Sequence, residues 1–217
     1  MNTRSKRIII TVATIACLII GALVTWNNVL KALLIPRNFG VVEPGSIYRS
    51  GQISQYVIEK TLKKHDIRTI IFLSEDKDLT EGVKRPDVTT ERETAQRLGI
   101  ERFNFPLRGD GTGDLEQYAG AIEQIVKCQQ QYKPVLVHCH AGAQRTGAAM
   151  AFYHMLIRQR PISEVYADLR ADGHDPEENP NLIPYVNDNI ERLAEMLVER
   201  GILAKKPNTF PKLAMVE

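Results

Sequence analysis

Cysteine is scarce in this chain: three in 217 residues, at positions 17, 128 and 139. No Cys-x-x-Cys pair and no even-numbered framework occur, which excludes a disulfide-stapled scaffold and a structural zinc module. Excess charge is lacking too. Twenty-eight basic residues face 26 acidic ones for a net charge of +2. Three of the basic ones, Arg4, Lys6 and Arg7, stand at the very start, so the rest is close to neutral. That argues against a nucleic-acid partner, which requires a basic face. There is no internal repeat and no low-complexity tract, so solenoids and disordered linkers are set aside. What remains is the composition of a globular protein, 43% apolar and 25% charged, with length for one core behind a short N-terminal segment.

One stretch carries chemistry: Pro134-Val-Leu-Val-His138-Cys139-His140-Ala141-Gly142-Ala143-Gln144-Arg145-Thr146-Gly147. The run Val135–Val137 reads as a buried strand, and an apolar run with helical spacing (Ala148, Met150, Ala151, Met155, Leu156) follows Gly147. The residues between form a loop from a strand end to a helix start. Such a loop can curl its N–H groups toward one point, to which the helix N-terminus adds partial positive charge. That nest suits a tetrahedral oxyanion such as phosphate. Arg145 adds a planar fork for two phosphate oxygens. The same field favours a thiolate at the base of the loop, and a thiolate beneath a phosphate is placed for in-line attack.

These residues resemble the signature of the cysteine-dependent protein tyrosine phosphatases, His-Cys-x-x-Gly-x-x-Arg-Ser/Thr-Gly, at His138, Cys139, Gly142, Arg145, Thr146 and Gly147. The resemblance implies that Cys139 forms a phosphocysteine intermediate. It implies that Arg145 binds phosphate and stabilises the transition state, with His140, Ala141, Gly142, Ala143 and Gln144 completing the phosphate-binding loop. It further implies that the Thr146 hydroxyl assists release of the thiolate and that His138 orients the loop from beneath. No cofactor or metal is implied. Two other readings of the stretch compete. His138-Cys139-His140 as a metal fragment meets the difficulty that adjacent strand residues point to opposite faces. A rhodanese-like sulfurtransferase also uses a cysteine in an anion loop, but is not expected to carry the Arg-Thr-Gly ending or an upstream acid loop.

At the other end, residues 8–26 hold no charge, and the uncharged stretch continues to Leu30. Nineteen helical residues reach about 28 Å, close to the hydrocarbon thickness of a bilayer, and Trp26 suits the interface. Residues 1–30 are therefore expected to be a basic segment with a transmembrane anchor. Residues 31–38 are expected to be a linker, 39–200 the phosphatase domain and 201–217 a loose tail. The basic residues before the run outnumber Lys31 and Arg37 after it. The positive-inside rule then puts the N-terminus in the cytoplasm and the domain across the membrane, in the periplasm if the cell is bacterial.

The Tyr48-Arg49-Ser50-Gly51-Gln52 run follows a strand and a Pro-Gly turn. It looks like the opening of the bacterial, fungal and plant atypical dual-specificity phosphatases, and Arg49 is a candidate support for the loop from behind. A helix is expected over Ser54–Lys64 with Ser54 as N-cap, then a strand over Ile67–Leu73 and a surface loop over 74–89. A helix over Thr90–Leu98 and a strand over Ile100–Phe105 follow. Further helices are expected at Leu115–Gln131, Pro161–Ala171 and Leu182–Val198.

Phosphotyrosine-type chemistry needs a general acid, usually on a mobile loop. Gly109-Asp110-Gly111-Thr-Gly113-Asp114 is such a loop, and the family's acid lies roughly thirty residues before the cysteine. Asp110 lies 29 before Cys139 and Asp114 lies 25 before. Asp114-x-x-Gln117 is also a capping-box pattern. Asp110 is therefore assigned as the acid and Asp114 as the cap. Cys128 is read as a helix residue, with a resolving thiol as the alternative. Asp172–Pro176 is read as a surface turn that could instead rim the pocket.

The expected fold is α/β: a central four- to five-stranded, mostly parallel sheet with helices on both sides. The expected reaction is metal-free phosphomonoester hydrolysis. The loop carries no lysine for a polyanionic head group, which favours a phosphorylated protein, phosphotyrosine above all. Membrane tethering favours a phospholipid. A catalytically silent phosphate-binding module is the alternative outside the enzyme class.

Overall fold

The computed structural model describes residues 3–26, 31–75 and 86–214. The apolar run at its heart becomes β5 (Val135–His138), buried throughout. It lies in the middle of a five-stranded sheet ordered β1-β2-β5-β3-β4, with β1 (Gly40–Glu43), β2 (Ile47–Ser50), β3 (Thr69–Phe72) and β4 (Glu101–Asn104). Only the β1–β2 pair is antiparallel. A central parallel strand is covered on both faces, so it reads as unbroken apolar sequence rather than as an alternation. His138 pairs with Ser50 on one side and with Phe72 on the other. Three strands therefore end at one level, and the crevice beyond the carboxyl ends of such strands is where this architecture places its sites.

The pleat sends alternate side chains to two cores. Ile71, Val135 and Val137 pack with Tyr118, Ile122, Phe152 and Leu193 on one face. That face belongs to α5 (Leu115–Gln130), α6 (Gln144–Leu156), α7 (Ile162–Ala171) and α8 (Leu182–Glu199). Tyr48, Ile70 and Leu136 pack with Ile58, Leu62 and Ala95 on the other, from α3 (Ile58–Lys64) and α4 (Pro86–Leu98). Burying each such aliphatic side chain contributes about 1.5–3 kcal/mol. The α/β sheet with helices on both sides is as expected.

Several boundaries differ. The loop after Cys139 is shorter than expected, because α6 starts at Gln144 and takes Arg145, Thr146 and Gly147 into its first turns. Gly147 serves packing: a Cβ there would fall 2.8 Å from Leu169 Cδ2 on α7. Ser54 caps nothing. Val57 and Ile58 donate their N–H groups to its carbonyl, and α3 begins at Ile58 without a side-chain cap. The surface loop expected over 74–89 falls partly on 76–85, outside the described residues, and its end is already α4, which opens on Pro86. A proline fits the first helical position because its missing N–H would be unpaired there anyway. The tail is pinned as far as Leu213, which is buried and exchanges two hydrogen bonds with Asn187 of α8.

The transmembrane anchor expected over 8–26 is not supported: among the described residues no helix is long and apolar enough to cross a membrane. The side chains of Ile8 and Ile9, which open the run, lie outside those described. What is described is α1 (Thr3–Thr25), a helix whose apolar side chains are exposed, among them Ile10, Leu18 and Ile20. A short α2 (Lys31–Leu34) follows.

Candidate active site

The loop 139–143 leaves the buried end of β5 and turns back into α6. Cys139 is 1% exposed at its base. The Gly142 N–H donates to Cys139 Sγ at 3.2 Å, so the backbone curls around the sulfur. Gly142 has φ +80, and a Cβ there would fall 2.5 Å from the Gly51 nitrogen, so conformation and space both demand glycine. Arg145 lies in the first turn of α6, and its buried Nε finds no hydrogen-bond partner among the described residues. The buried Thr146 hydroxyl is likewise unpartnered.

The Tyr48–Gln52 segment holds the back of this loop. Gln52 N–H donates to the His140 carbonyl at 2.9 Å. Arg49, 3% exposed, donates to the Gly142 carbonyl and pairs with Asp172, which follows α7. Burial lowers the affinity of Arg49 for its proton, and Asp172 offsets that. Burial pushes the Asp172 carboxyl up, against the pull of Arg49. The expected role of Arg49 behind the loop thus has its geometry. Residues expected to be linker take part: Asn38 Nδ2 donates to the Ala141 carbonyl at 2.9 Å, and the Arg37 carbonyl accepts from Gly51 N–H at 2.7 Å.

Beneath the loop, His138 is fully buried. Its Nδ1 lies 3.4 Å from the Cys139 carbonyl. Its Nε2 lies 3.0 Å from Glu91 Oε2, a close polar contact rather than a well-aligned hydrogen bond. Glu91, on α4, is also fully buried. Its Oε1 accepts from Arg102 Nε at 2.9 Å and its Oε2 from Gln52 Nε2 at 3.0 Å. Burial alone would push Glu91 up, but His138 and Arg102 outweigh it and hold the carboxyl down at about 2. Sequence reasoning missed Glu91. A signal existed: Glu91, Thr94, Ala95 and Leu98 fall on one helical stripe, and only the first of them is charged.

The glycine-rich segment touches the same place. A Cβ on Gly111 would fall 3.0 Å from the Gln144 carbonyl. Asp110 Oδ1 accepts from the N–H and the hydroxyl of Thr112, and Oδ2 from Asn181 Nδ2 at 3.1 Å. Burial raises the Asp110 carboxyl, yet these bonds prevail and leave it below the usual range. Asp114 is the N-cap of α5, accepting from Glu116 N–H at 3.0 Å. Tyr118, another residue missed, donates to the Gly111 carbonyl at 2.6 Å. Burial pushes its phenol well up, helped by Tyr185, Cys139 and Asp110 and opposed by Arg145. Cys139, Arg145 and Asp110 thus all act electrostatically on this one buried phenol. His174 comes from the expected surface turn. It is 2% exposed and holds Gln144 Oε1 at 2.7 Å. Cys128 is buried on α5, with Gln124 Nε2 3.6 Å from its sulfur.

The arrangement joins a sulfur under a curled backbone, an arginine with an uncommitted buried N–H and a carboxylate on an adjoining loop. It can hold a tetrahedral oxyanion against a nucleophile. Among the described residues no group of three histidines, cysteines and carboxylates gathers that could hold a metal ion.

Solved structures share this fold. TpbA of P. aeruginosa superposes with a TM-score of 0.58 at 18% identity, over 75% of this chain and 91% of that one. The core catalytic domain of the PP-IP phosphatase SIW14 of S. cerevisiae, in complex with citrate, gives 0.57 at 18% identity, over 79% and 97%. PTPMT1 in complex with PI(5)P gives 0.56 at 14% identity, over 75% and 98%. In sequence, the dual specificity protein phosphatase OPG106 of Vaccinia virus (strain Western Reserve) is 32% identical over 81 residues, 37% of this chain and 47% of that protein. The probable dual specificity protein phosphatase H1 homolog of Fowlpox virus (strain NVSL) is 35% identical over 68 residues, 31% of this chain and 41% of that one. The chain spans about half the length of the curated relatives it matches. The family model "Dual specificity phosphatase, catalytic domain" matches residues 51–189, from the glycine behind the loop to the middle of α8. That stretch is well over half of the sequence, and by it the chain belongs to the dual specificity phosphatase catalytic-domain family.

Proposed function

We propose that this protein hydrolyses phosphomonoesters through a phosphocysteine intermediate. The observation that carries the reading is the pairing of Cys139 Sγ, held by Gly142 N–H, with the unpartnered buried Nε of Arg145 at the head of α6. In the first step the Cys139 thiolate attacks phosphorus and the ester P–O bond breaks. Asp110 gives its proton to the leaving oxygen. In the second, water attacks phosphorus, its proton passes to Asp110, and the P–S bond breaks to release phosphate and thiolate. The Thr146 hydroxyl donates to the departing sulfur, and Arg145 binds two phosphate oxygens throughout. The Thr112 and Asn181 bonds keep Asp110 ionised, so the loop must loosen for it to act as an acid. In the full chain, Cys139→Ser is expected to remove turnover of a small aryl phosphate while vanadate still binds. Turnover that survives the substitution would sink the reading.

The favoured substrate is a phosphorylated protein, phosphotyrosine first. The alanines at 141 and 143 leave the loop without the extra cations a polyphosphate head group needs, and TpbA has been solved in complex with pTyr. A phospholipid is the second reading. It is favoured by the exposed apolar side chains of α1 and by the short tether: Asn38, twelve residues past Trp26, binds the loop, and the Arg37 carbonyl holds Gly51 behind it; PTPMT1 has been solved with PI(5)P. We propose that α1 seats the chain in a membrane, with the domain on the far side from the basic N-terminus. Thr11, Thr14 and Thr25 donate their hydroxyls to carbonyls four residues back, which satisfies them without water. Extraction of the full chain from membranes by carbonate alone, or a C-terminal periplasmic reporter that stays silent, would overturn the attachment or its direction.

A further inference from the structure

Glu91 is a carboxylate with no exposure at all, on α4. Burying a charge in this way is costly unless partners satisfy it. Its partners come from three different elements: Gln52 after β2, His138 at the end of β5 and Arg102 on β4. Two of the three also touch the phosphate loop. Gln52 donates its own N–H to the His140 carbonyl, and His138 turns its other nitrogen toward the Cys139 carbonyl. The carbonyls of Cys139 and His140 are thus each one residue away from the same carboxylate.

We infer that Glu91 is a positioning residue for the phosphate loop. Its carboxylate fixes Gln52 and His138, which hold the carbonyls of residues 139 and 140 downward, so that the following N–H groups point up at the oxyanion. The peptide plane makes this coupling geometric: a carbonyl anchored below turns the N–H of the next residue to the opposite side. Arg102 supplies a permanent cation, without which the buried carboxylate would have only Gln52 and His138 to satisfy it. The inference rests on the proposed reaction at Cys139 but is readable without it, through oxyanion binding.

The test uses the full chain as wild type, Glu91→Gln, Glu91→Asp and Ile58→Ala, the last a core truncation on the same face of the sheet as a control for lost stability. Each is measured for melting temperature, for kcat and KM with a small aryl phosphate, and for the vanadate dissociation constant by calorimetry. Expected is a folded Glu91→Gln protein with vanadate affinity lowered tenfold or more and kcat/KM lowered at least as much. Glu91→Asp should recover part of both, and Ile58→Ala should melt lower with wild-type affinity. A Glu91→Gln protein that folds and keeps wild-type vanadate affinity and kcat/KM overturns the inference. Should Glu91→Gln not fold, Gln52→Ala carries the test: it removes one arm of the carboxylate and is expected to lower vanadate affinity severalfold, and wild-type affinity there overturns the inference equally. Wild-type protein that binds vanadate but lacks turnover would sink the proposed reaction and leave the binding comparison intact.

Discussion

Gly51 and Gly142 lie backbone against backbone: a Cβ on Gly51 would fall 2.8 Å from the Ala141 carbonyl oxygen, and one on Gly142 2.5 Å from the Gly51 nitrogen. Neither neighbour is a flexible side-chain end that could step aside. Gly51→Ala is therefore expected to cost about 1–3 kcal/mol from overpacking. Gly142→Ala adds about 1–2 kcal/mol for a left-handed alanine. Denaturant unfolding checks both, and loss of turnover should exceed what the lost stability explains, because the displaced atoms are the loop itself.

Arg49 joins the loop to the end of α7 through one guanidinium, held by the Gly142 carbonyl on one side and Asp172 on the other. Arg49→Met removes the cation and leaves a half-buried carboxylate, at a cost of about 3 kcal/mol. Arg49→Lys should not restore activity, since a single ammonium cannot reproduce the planar fork that reaches both partners. Melting temperatures and kcat/KM for the two variants decide this; full activity in the lysine variant would show that charge alone suffices.

The Asp110 carboxyl sits below its usual range because Thr112 and Asn181 hold it ionised. A general acid works only while protonated, so activity should fall as pH rises above that lowered value. Asn181→Ala removes one donor to the carboxylate. It should raise the Asp110 value and move the falling limb of kcat/KM to higher pH. An unmoved limb in Asn181→Ala would detach Asp110 from the proton transfer.

Glu91 makes an acid-side prediction for stability. Its carboxyl is held at about 2, against 4.5 for an unperturbed one. A carboxylate depressed in the folded state contributes stability above its unfolded value, and that contribution is lost as pH falls through the window from about 4.5 to about 2. Wild-type protein should lose stability there more steeply than Glu91→Gln. Parallel curves of unfolding free energy against pH would mean that Glu91 is not held low.

Much of this was legible in the residues. The motif from His138 to Gly147 announced the loop, because anion binding constrains residue types at fixed spacing. The strands β3 and β5 showed as short apolar runs for the reason that they are covered on both faces. The start of α6 was not legible, since Gly147 reads as loop until Leu169 of α7 is seen to occupy the space beside it. Glu91 was hidden for a related reason: its stripe with Thr94, Ala95 and Leu98 shows only that it turns inward, and its partners Gln52, His138 and Arg102 are far apart in sequence. The cap at Asp114 was legible in the local pattern, because capping is a local interaction.

The strand order has a consequence for how the chain becomes a protein at all. By residue 104 four of the five strands exist, yet they form two unconnected pairs, β1–β2 and β3–β4, because β5 lies between β2 and β3. A ribosome must deliver the chain through His138 before the two halves can meet. Contacts of such long sequence separation slow folding and leave strand edges open meanwhile. The strand that leads into the nucleophile is thus also the last piece of the sheet, so a chain arrested at residue 133 should stay protease-sensitive throughout, and resistance appearing only once residues 135–138 have emerged would mark the moment of closure.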